Sequence, residues 1–355
     1  MTVPLLLAFL SCFIGIIVTA YWSIESIKAI SVKYKLSDTF IGAVFLSVGT
    51  SFPEFVNSIV SGFHDKYLDT PRYAMYSFYN VTGANTWQVV FLSVAISLIT
   101  IKTLFQRKSK DIEDIQNIFW KESIFSWELV FWETVFLCVV FLAPFLFSRF
   151  LFRGFSVINV VFLLIWFWYL HTTYKDQPEV ERRDNEFNHF SSWNKPSLLG
   201  ISFLLWCLFG ALSYANFYIA SKFPLSGNFS FGIILSFVTS TPEFSALFFL
   251  FRKREYRIAV GGFFGSSLFN LTLPAYTNWI SGKPLIGKHH TITHDGNLPL
   301  STNKLSFWLI LNLFLLILFL MSFYKPKFLK RTVIFFNGIV VAALYVFLNI
   351  KLNEL

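Results

Sequence analysis

Apolar windows of about 20 residues, the length that crosses the hydrocarbon core of a bilayer, recur from one end of this 355-residue chain to the other. They fall at roughly 2–21, 38–62, 76–101, 129–148, 154–171, 197–220, 229–251, 258–279, 305–323 and 331–349. The longest stretches between them, 102–128 and 172–196, are too short to be separate soluble domains. Only 14% of the residues are charged, far less than a water-exposed surface of this size would need. The pattern predicts an all-α integral membrane protein with ten transmembrane helices. The first window resembles a signal peptide in position, but it lacks a basic leading segment and is long enough to span.

The net charge of +9 is informative through its placement rather than its size. With the N-terminus outside, 20 of the 29 basic residues fall in inner segments and nine in outer ones. Cytoplasmic loops carry the excess of Lys and Arg. The sequence therefore predicts that both termini lie on the outer or lumenal side and that the central loop is cytoplasmic. With so few charges outside these loops, the composition calls for lipid and not nucleic acid as the surrounding partner.

One stretch occurs twice. LSVGTSFPEF at 46–55 aligns with LSFVTSTPEF at 235–244, pairing Ser47 with Ser236, Thr50 with Thr239, Ser51 with Ser240, Pro53 with Pro242 and Glu54 with Glu243. In each half the next window carries a glycine-containing polar patch, NVTGANTWQ at 80–88 and GFFGSSLFN at 262–270. The copies sit five spans apart, and an odd offset places them in opposite orientations across the membrane. This is the arrangement of a 5+5 inverted-topology repeat, whose shared polar elements meet near the bilayer midplane. The halves are 1–171 and 197–355, joined by the linker 172–196.

Of the 20 Asp and Glu residues, 18 are read as lying in loops, at termini or near span ends; Glu54 and Glu243 alone fall in mid-span. A charge at that depth costs about 2.5–3.5 kcal/mol on insertion scales and marks a partner or a pathway. No Lys, Arg or His is expected at the same depth, so the partner should be a cation or protons from outside the protein. Ser47, Ser51, Glu54 and Ser58 share one helical face by their spacing, as do Ser236, Ser240 and Glu243. Pro53 and Pro242 each remove a backbone donor and free a carbonyl one turn earlier. Hydroxyls, carboxylates and carbonyls are hard oxygen ligands, suited to Ca²⁺ or Na⁺ and not to zinc or copper. No cofactor is implied; these ions would be cargo.

Other features read as structural. Cys12, Cys138 and Cys207 lie within spans as small hydrophobes. KHHTITHD at 288–295 reads as a solvated loop, 106–123 as an amphipathic surface helix, and 175–186 as a charged linker. An enzyme is not indicated, since there is no HExxH motif and no catalytic dyad within a span.

The duplicated motif resembles that of the sodium/calcium exchangers of the calcium:cation antiporter superfamily. The two alpha-repeats of that family carry Gly-Thr-Ser-x-Pro-Glu followed by Gly-Ser-x-x-x-Asn/Asp on the next helix. The resemblance implies that Glu54 and Glu243 are ion-binding carboxylates, that Thr50, Ser51, Thr239 and Ser240 flank them as ligands, and that Ser266 and Asn270 form the second-helix pair. It also implies a central site for one Ca²⁺ or several Na⁺, with alternating access by sliding of the first and sixth helices. Four positions depart from the pattern. Ala84 stands in place of serine, Gln88 in place of Asn or Asp, Val238 in place of glycine, and Asn270 is an amide where some members carry Asp. Gln88 is taken as the first-repeat counterpart of Asn270, with Asn85, on a neighbouring face, as the alternative amide. The function expected is antiport of Ca²⁺ against Na⁺; a Ca²⁺/H⁺ or other cation/proton exchanger, and a scaffold with the same fold and an impaired site, remain the alternatives.

Overall fold

In the computed structural model of the protein, the described residues are 3–37, 40–67, 73–95 apart from 75, 82, 86, 89, 92 and 93, 150–175 apart from 153 and 154, 190–223 apart from 191, 230–282 apart from 254, and 339, 340 and 343. The expected spans at 129–148 and 305–323, nearly all of 331–349, the segment 106–123, most of 175–186, Cys138 and the histidine cluster at 288–295 lie outside them.

Helix α1 runs Val3–Tyr34 and therefore continues 13 residues past the end of its apolar window. The extension, from Trp22 onward, contains no helix breaker, and its charges find partners across the fold: Glu25 accepts from Lys253 at 3.3 Å and Lys28 pairs with Glu255 at 2.6 Å. Glu25 and Glu255 are buried although they lie beyond the apolar windows, so burial is not confined to the mid-span carboxyls Glu54 and Glu243. Asp65 is another, fully buried, where its two oxygens accept the backbone N–H groups of Tyr73 at 2.8 Å and Ala74 at 2.5 Å.

Helix α2 comes in three stretches. A π-helical turn, Ile41–Leu46, leads into a single α-turn, Ser47–Thr50; the chain breaks at Ser51 and resumes as Phe52–Lys66. Its two arms meet at 49°. The described residues of 73–95 are helical and form α3. A two-strand ladder follows, β1 (Phe150–Phe152) antiparallel to β2 (Phe155–Ser156), so the fifth expected span starts not at 154 but at Val157, as α4 (Val157–Lys175). Helix α5 (Lys195–Ala220) opens with the Asn194 side chain accepting from Ser197 N and a proline in its first turn, both standard devices for satisfying the free donors of a helix start. Helix α6 repeats the pattern of α2 residue for residue: a π-turn Ser230–Leu235, an α-turn Ser236–Thr239, a break at Ser240, and Thr241–Arg252. Helix α7 is Tyr256–Ser281.

Packing follows the sequence halves. Helices α1 and α5, the first of each half, lie antiparallel, with Leu212 against Gly15 and Ser202 donating to Ser26 at 2.8 Å. Their outer faces carry stripes of exposed residues, Leu7, Leu10, Ile14 and Val18 on one and Leu204 and Leu208 on the other, as lipid-facing helices require. Each broken helix crosses the third helix of the opposite half at close range. A Cβ on Gly83 would strike the Gly232 carbonyl oxygen and lie 2.6 Å from Ser236 Oγ; one on Gly265 would strike the Ala43 carbonyl and lie 2.8 Å from Ser47 Oγ. These are the same contact made twice, since 43 and 232, and 47 and 236, are repeat equivalents. Without a hydrophobic drive between helices in lipid, such close backbone contact is what holds them together.

Gly83→Ala and Gly265→Ala should each lower the melting temperature of the purified protein, at a cost of about 1–3 kcal/mol for overpacking. Gly200, where an added Cβ would meet nothing within 4 Å, serves as control: Gly200→Ala should be neutral or stabilise by up to about 1 kcal/mol. Equal melting of all three variants would refute the close crossing.

Candidate ion-binding site

The two breaks bring Glu54 and Glu243 to equivalent positions, each in the first turn of a helix that starts afresh after Ser51 or Ser240. Proline at 53 and 242 explains the restart, because it fits the first turn of a helix but cannot donate to the turn before. The carboxylates thus sit at the positive ends of two helices, where the macrodipole favours a negative charge. Both are buried, and they lie close enough for Glu54 to feel the charge of Glu243. Among the described residues no Lys, Arg or His side chain bonds to either.

Around this pair the repeat symmetry of the backbone is kept, but that of the side chains is broken. On the Glu243 side, Ser51 Oγ and Ser266 Oγ each donate to Oε1 at 3.0 Å, and the two hydroxyls also touch each other. Oε2 of Glu243 has no hydrogen-bond partner. On the Glu54 side neither carboxylate oxygen has one. The equivalents of Ser51 and Ser266 there are Ser240, whose hydroxyl is likewise without a partner, and Ala84, which has no hydroxyl. The Thr239 side chain lies beside Glu54 and that of Thr50 beside Glu243, a contact repeated in both halves. Thr239 Oγ1 is also within 3.2 Å of Asn80 Oδ1, and Thr50 Oγ1 bonds the Leu46 carbonyl at 2.9 Å.

Three amides complete the cluster. Gln88 Nε2 donates to Ser266 Oγ at 2.8 Å, while its Oε1 accepts from Ser267 Oγ at 2.7 Å. Asn270 Nδ2 donates to Asn85 Oδ1 at 2.8 Å, leaving Asn270 Oδ1 without a partner. Asn85 and Gln88 therefore both contact α7, and their carbonyl oxygens are occupied by protein donors. Ser47 and Ser236 take a different position from their neighbours. Their hydroxyls bond back to the carbonyls four residues earlier, Ala43 at 2.5 Å and Gly232 at 2.6 Å, and they stand at the glycine crossings.

Two contributors went unread in the sequence. Asn80, buried and with its Nδ2 unpaired, opens the same polar patch as Gln88, but its repeat equivalent is Gly262 and symmetry gave no cue. Pro274 lies inside α7 and removes the donor that the carbonyl of Asn270 would otherwise meet; an X-Pro four residues after a candidate ligand is the signal that could have found it. The departure at Val238 also gains a reason. Its counterpart Gly49 faces Trp206, whose Nε1 would lie 2.8 Å from a Cβ there, whereas Val238 packs into an apolar cluster with Ile16 and Phe209.

The fold is that of an all-α membrane protein in which a broken helix occurs once in each half. A family profile described as sodium/calcium exchanger protein matches residues 4–175 and 197–350, and the chain belongs to that family of membrane antiporters. Solved structures of the sodium-calcium exchanger NCX_Mj share its fold. One soaked with 2.5 mM Na⁺ and 0.1 mM Ca²⁺ aligns over 98% of both chains with a TM-score of 0.57 and 19% identity. Another, soaked with zero Na⁺ and Ca²⁺, aligns over 99% of this chain and 100% of the other with a TM-score of 0.56 and 19% identity. Comparison with curated proteins gives no match.

If Asn85 and Asn270 are a true pair, a double-mutant cycle of Asn85→Ala and Asn270→Ala should show a coupling of about 0.5–3 kcal/mol in thermal stability. Strict additivity would show that the two amides do not meet.

Proposed function

We propose that the protein is a secondary antiporter that exchanges Ca²⁺ for Na⁺ at the Glu54–Glu243 site by alternating access. The observation that carries this reading is the set of buried oxygens without protein partners: both of Glu54, Oε2 of Glu243, Oδ1 of Asn270 and the Ser240 hydroxyl. Buried polar groups are normally satisfied, and a charged pair is especially costly to leave bare. Oxygens converging from two half-helix N-termini, with two formal negative charges, match what Ca²⁺ requires: six to eight oxygen ligands and neutralisation of its charge. Thr50, Ser51, Thr239, Ser266 and the carbonyl of Asn270 are the further oxygens within the same cluster. Ser47 and Ser236 contribute to the site by seating the helices rather than as ligands.

In this reading the carboxylates bind and release the cation, the helix breaks let backbone and side-chain oxygens turn toward it, and competition between Na⁺ and Ca²⁺ for the same oxygens couples their movement. A Ca²⁺/H⁺ exchanger is the second reading, because two adjacent carboxylates can also exchange protons. Ca²⁺ uptake into proteoliposomes separates them: a Na⁺ gradient should drive uptake and a pH gradient alone should not. Uptake driven only by the pH gradient would establish the second reading.

Glu54→Gln and Glu243→Gln keep size and remove charge, so each should weaken Ca²⁺ binding to purified protein at least tenfold, about 1.4 kcal/mol. Unchanged binding in both would sink the site. Ala84→Ser restores the hydroxyl missing near Glu54 and should raise Na⁺ affinity in competition with Ca²⁺. The termini are proposed to share the outer side; cysteines introduced at 176–186 should resist an impermeant reagent applied from outside, and their labelling would reverse the orientation.

A further inference from the structure

Ser266 is the member of the cluster with no open bonding position. A hydroxyl has one proton and two lone pairs. The proton of Ser266 serves Glu243 Oε1 at 3.0 Å, one lone pair takes the Gln88 N–H at 2.8 Å, and Ser51 Oγ, whose own proton also goes to Glu243 Oε1, crowds the remaining side without donating to it. Gln88 cannot turn away, because its own carbonyl is held by Ser267 at 2.7 Å and the side chain is fully buried. The result is a chain of protein bonds, Ser267 to Gln88 to Ser266 to Glu243, that ends on one carboxylate oxygen. The repeat itself supplies the comparison. At the equivalent place beside Glu54 stand Ala84 and Asn270: the methyl of Ala84 donates nothing, and Asn270 directs its Nδ2 to Asn85 and leaves Oδ1 unbonded. Glu54 accordingly keeps both oxygens, and Glu243 keeps one.

Resting on the reading of this pair as the cation site, we propose that Gln88 is a specificity-determining positioning residue: by locking Ser266 as a donor to Glu243, its carboxamide occupies one cation position and biases the site toward a single divalent ion over several monovalent ones. The oxygens left open, with their two negative charges, neutralise one Ca²⁺. A Na⁺ on the Ser266 side would need the Ser266 lone pair and Glu243 Oε1, and both are already engaged. The amide N–H stands there in place of an ion, as a fixed dipole of the same sense.

The test measures Ca²⁺ binding to purified protein across a Na⁺ titration, for wild type, Gln88→Ala and Ser267→Ala. Gln88→Ala frees Ser266, so the ratio of Na⁺ to Ca²⁺ affinity should rise at least tenfold and the Hill slope of Na⁺ inhibition should steepen. Ser267→Ala releases the Gln88 carbonyl, losing besides it only a bond from the same hydroxyl to the Phe263 carbonyl within α7, and should act in the same direction with a smaller shift, which keeps the test decisive if Gln88→Ala does not fold. Gln88→Asn, too short to span to both serines, should resemble Gln88→Ala. Ratio and slope unchanged in the folded variants, with wild type binding Ca²⁺, would overturn the role of Gln88 alone. Wild type that binds no Ca²⁺ would instead overturn the site on which it rests.

Discussion

Two carboxyl groups enclosed in a membrane protein, with no cationic side chain among the described residues bonded to them, set the terms for everything else in this structure. An isolated carboxylate in a low-dielectric interior is costly, and here a second one stands within reach of the first. The fold offers only partial relief. Helix breaks at Ser51 and Ser240 place the carboxyls at two positive helix ends, Ser51 and Ser266 donate to one oxygen, and the remaining carboxyl oxygens have no hydrogen-bond partner. The π-turns that precede both breaks fit this arrangement, since such turns store an irregular hydrogen-bond pattern where function needs one.

That irregular backbone is tolerable because it is enclosed. Each break is covered by the third helix of the opposite half, at a crossing where Gly83 or Gly265 lets Ser236 or Ser47 come within contact distance. The serines at those crossings return their protons to their own helix, which satisfies a polar group in a place with no water. Packing thus gives a second account of the spacing that marked Ser47 and Ser236 as candidate ligands. Periodicity reports which face a residue occupies, and both roles lie on the face turned inward.

The sequence disclosed the repeat, the broken helices and the carboxylate pair because each is written twice, and duplication distinguishes design from accident. It did not disclose features that occur once. Glu25 and Lys28 were placed beyond a span end because hydropathy falls at Trp22, yet α1 continues to Tyr34 and their partners, Lys253 and Glu255, lie more than 220 residues away. Asp65 reads as a loop-side charge until the backbone of Tyr73 and Ala74 folds onto it. The short ladder at 150–156 has no period-2 pattern to betray it among aromatic residues. Gln88 was legible as a departure from the repeat, but its bonds to Ser266 and Ser267 depend on how α3 and α7 meet, which no local pattern specifies.

Beyond the carboxylates the two halves part company, and this has a physical consequence for ion movement. On α2 the residues one to two turns past Glu54 are Asn57, Ser58 and Ser61, all fully buried, with Asn57 bonded to Ser213 and Ser58 to Ser77. Their equivalents past Glu243 are Ala246, Leu247 and Leu250, which belong to the main apolar cluster. On the proposed inverted arrangement, these two seams lead from the proposed site toward opposite faces of the membrane. For a cation bound at the proposed site, those three positions offer polar side chains along the first seam and only apolar ones along the second, where loss of hydration would not be offset. The repeated backbone therefore carries unequal side chains: a polar seam on the side where α2 ends at Lys66, and an apolar one on the side where Lys253 and Glu255, between α6 and α7, pair with Glu25 and Lys28 of α1.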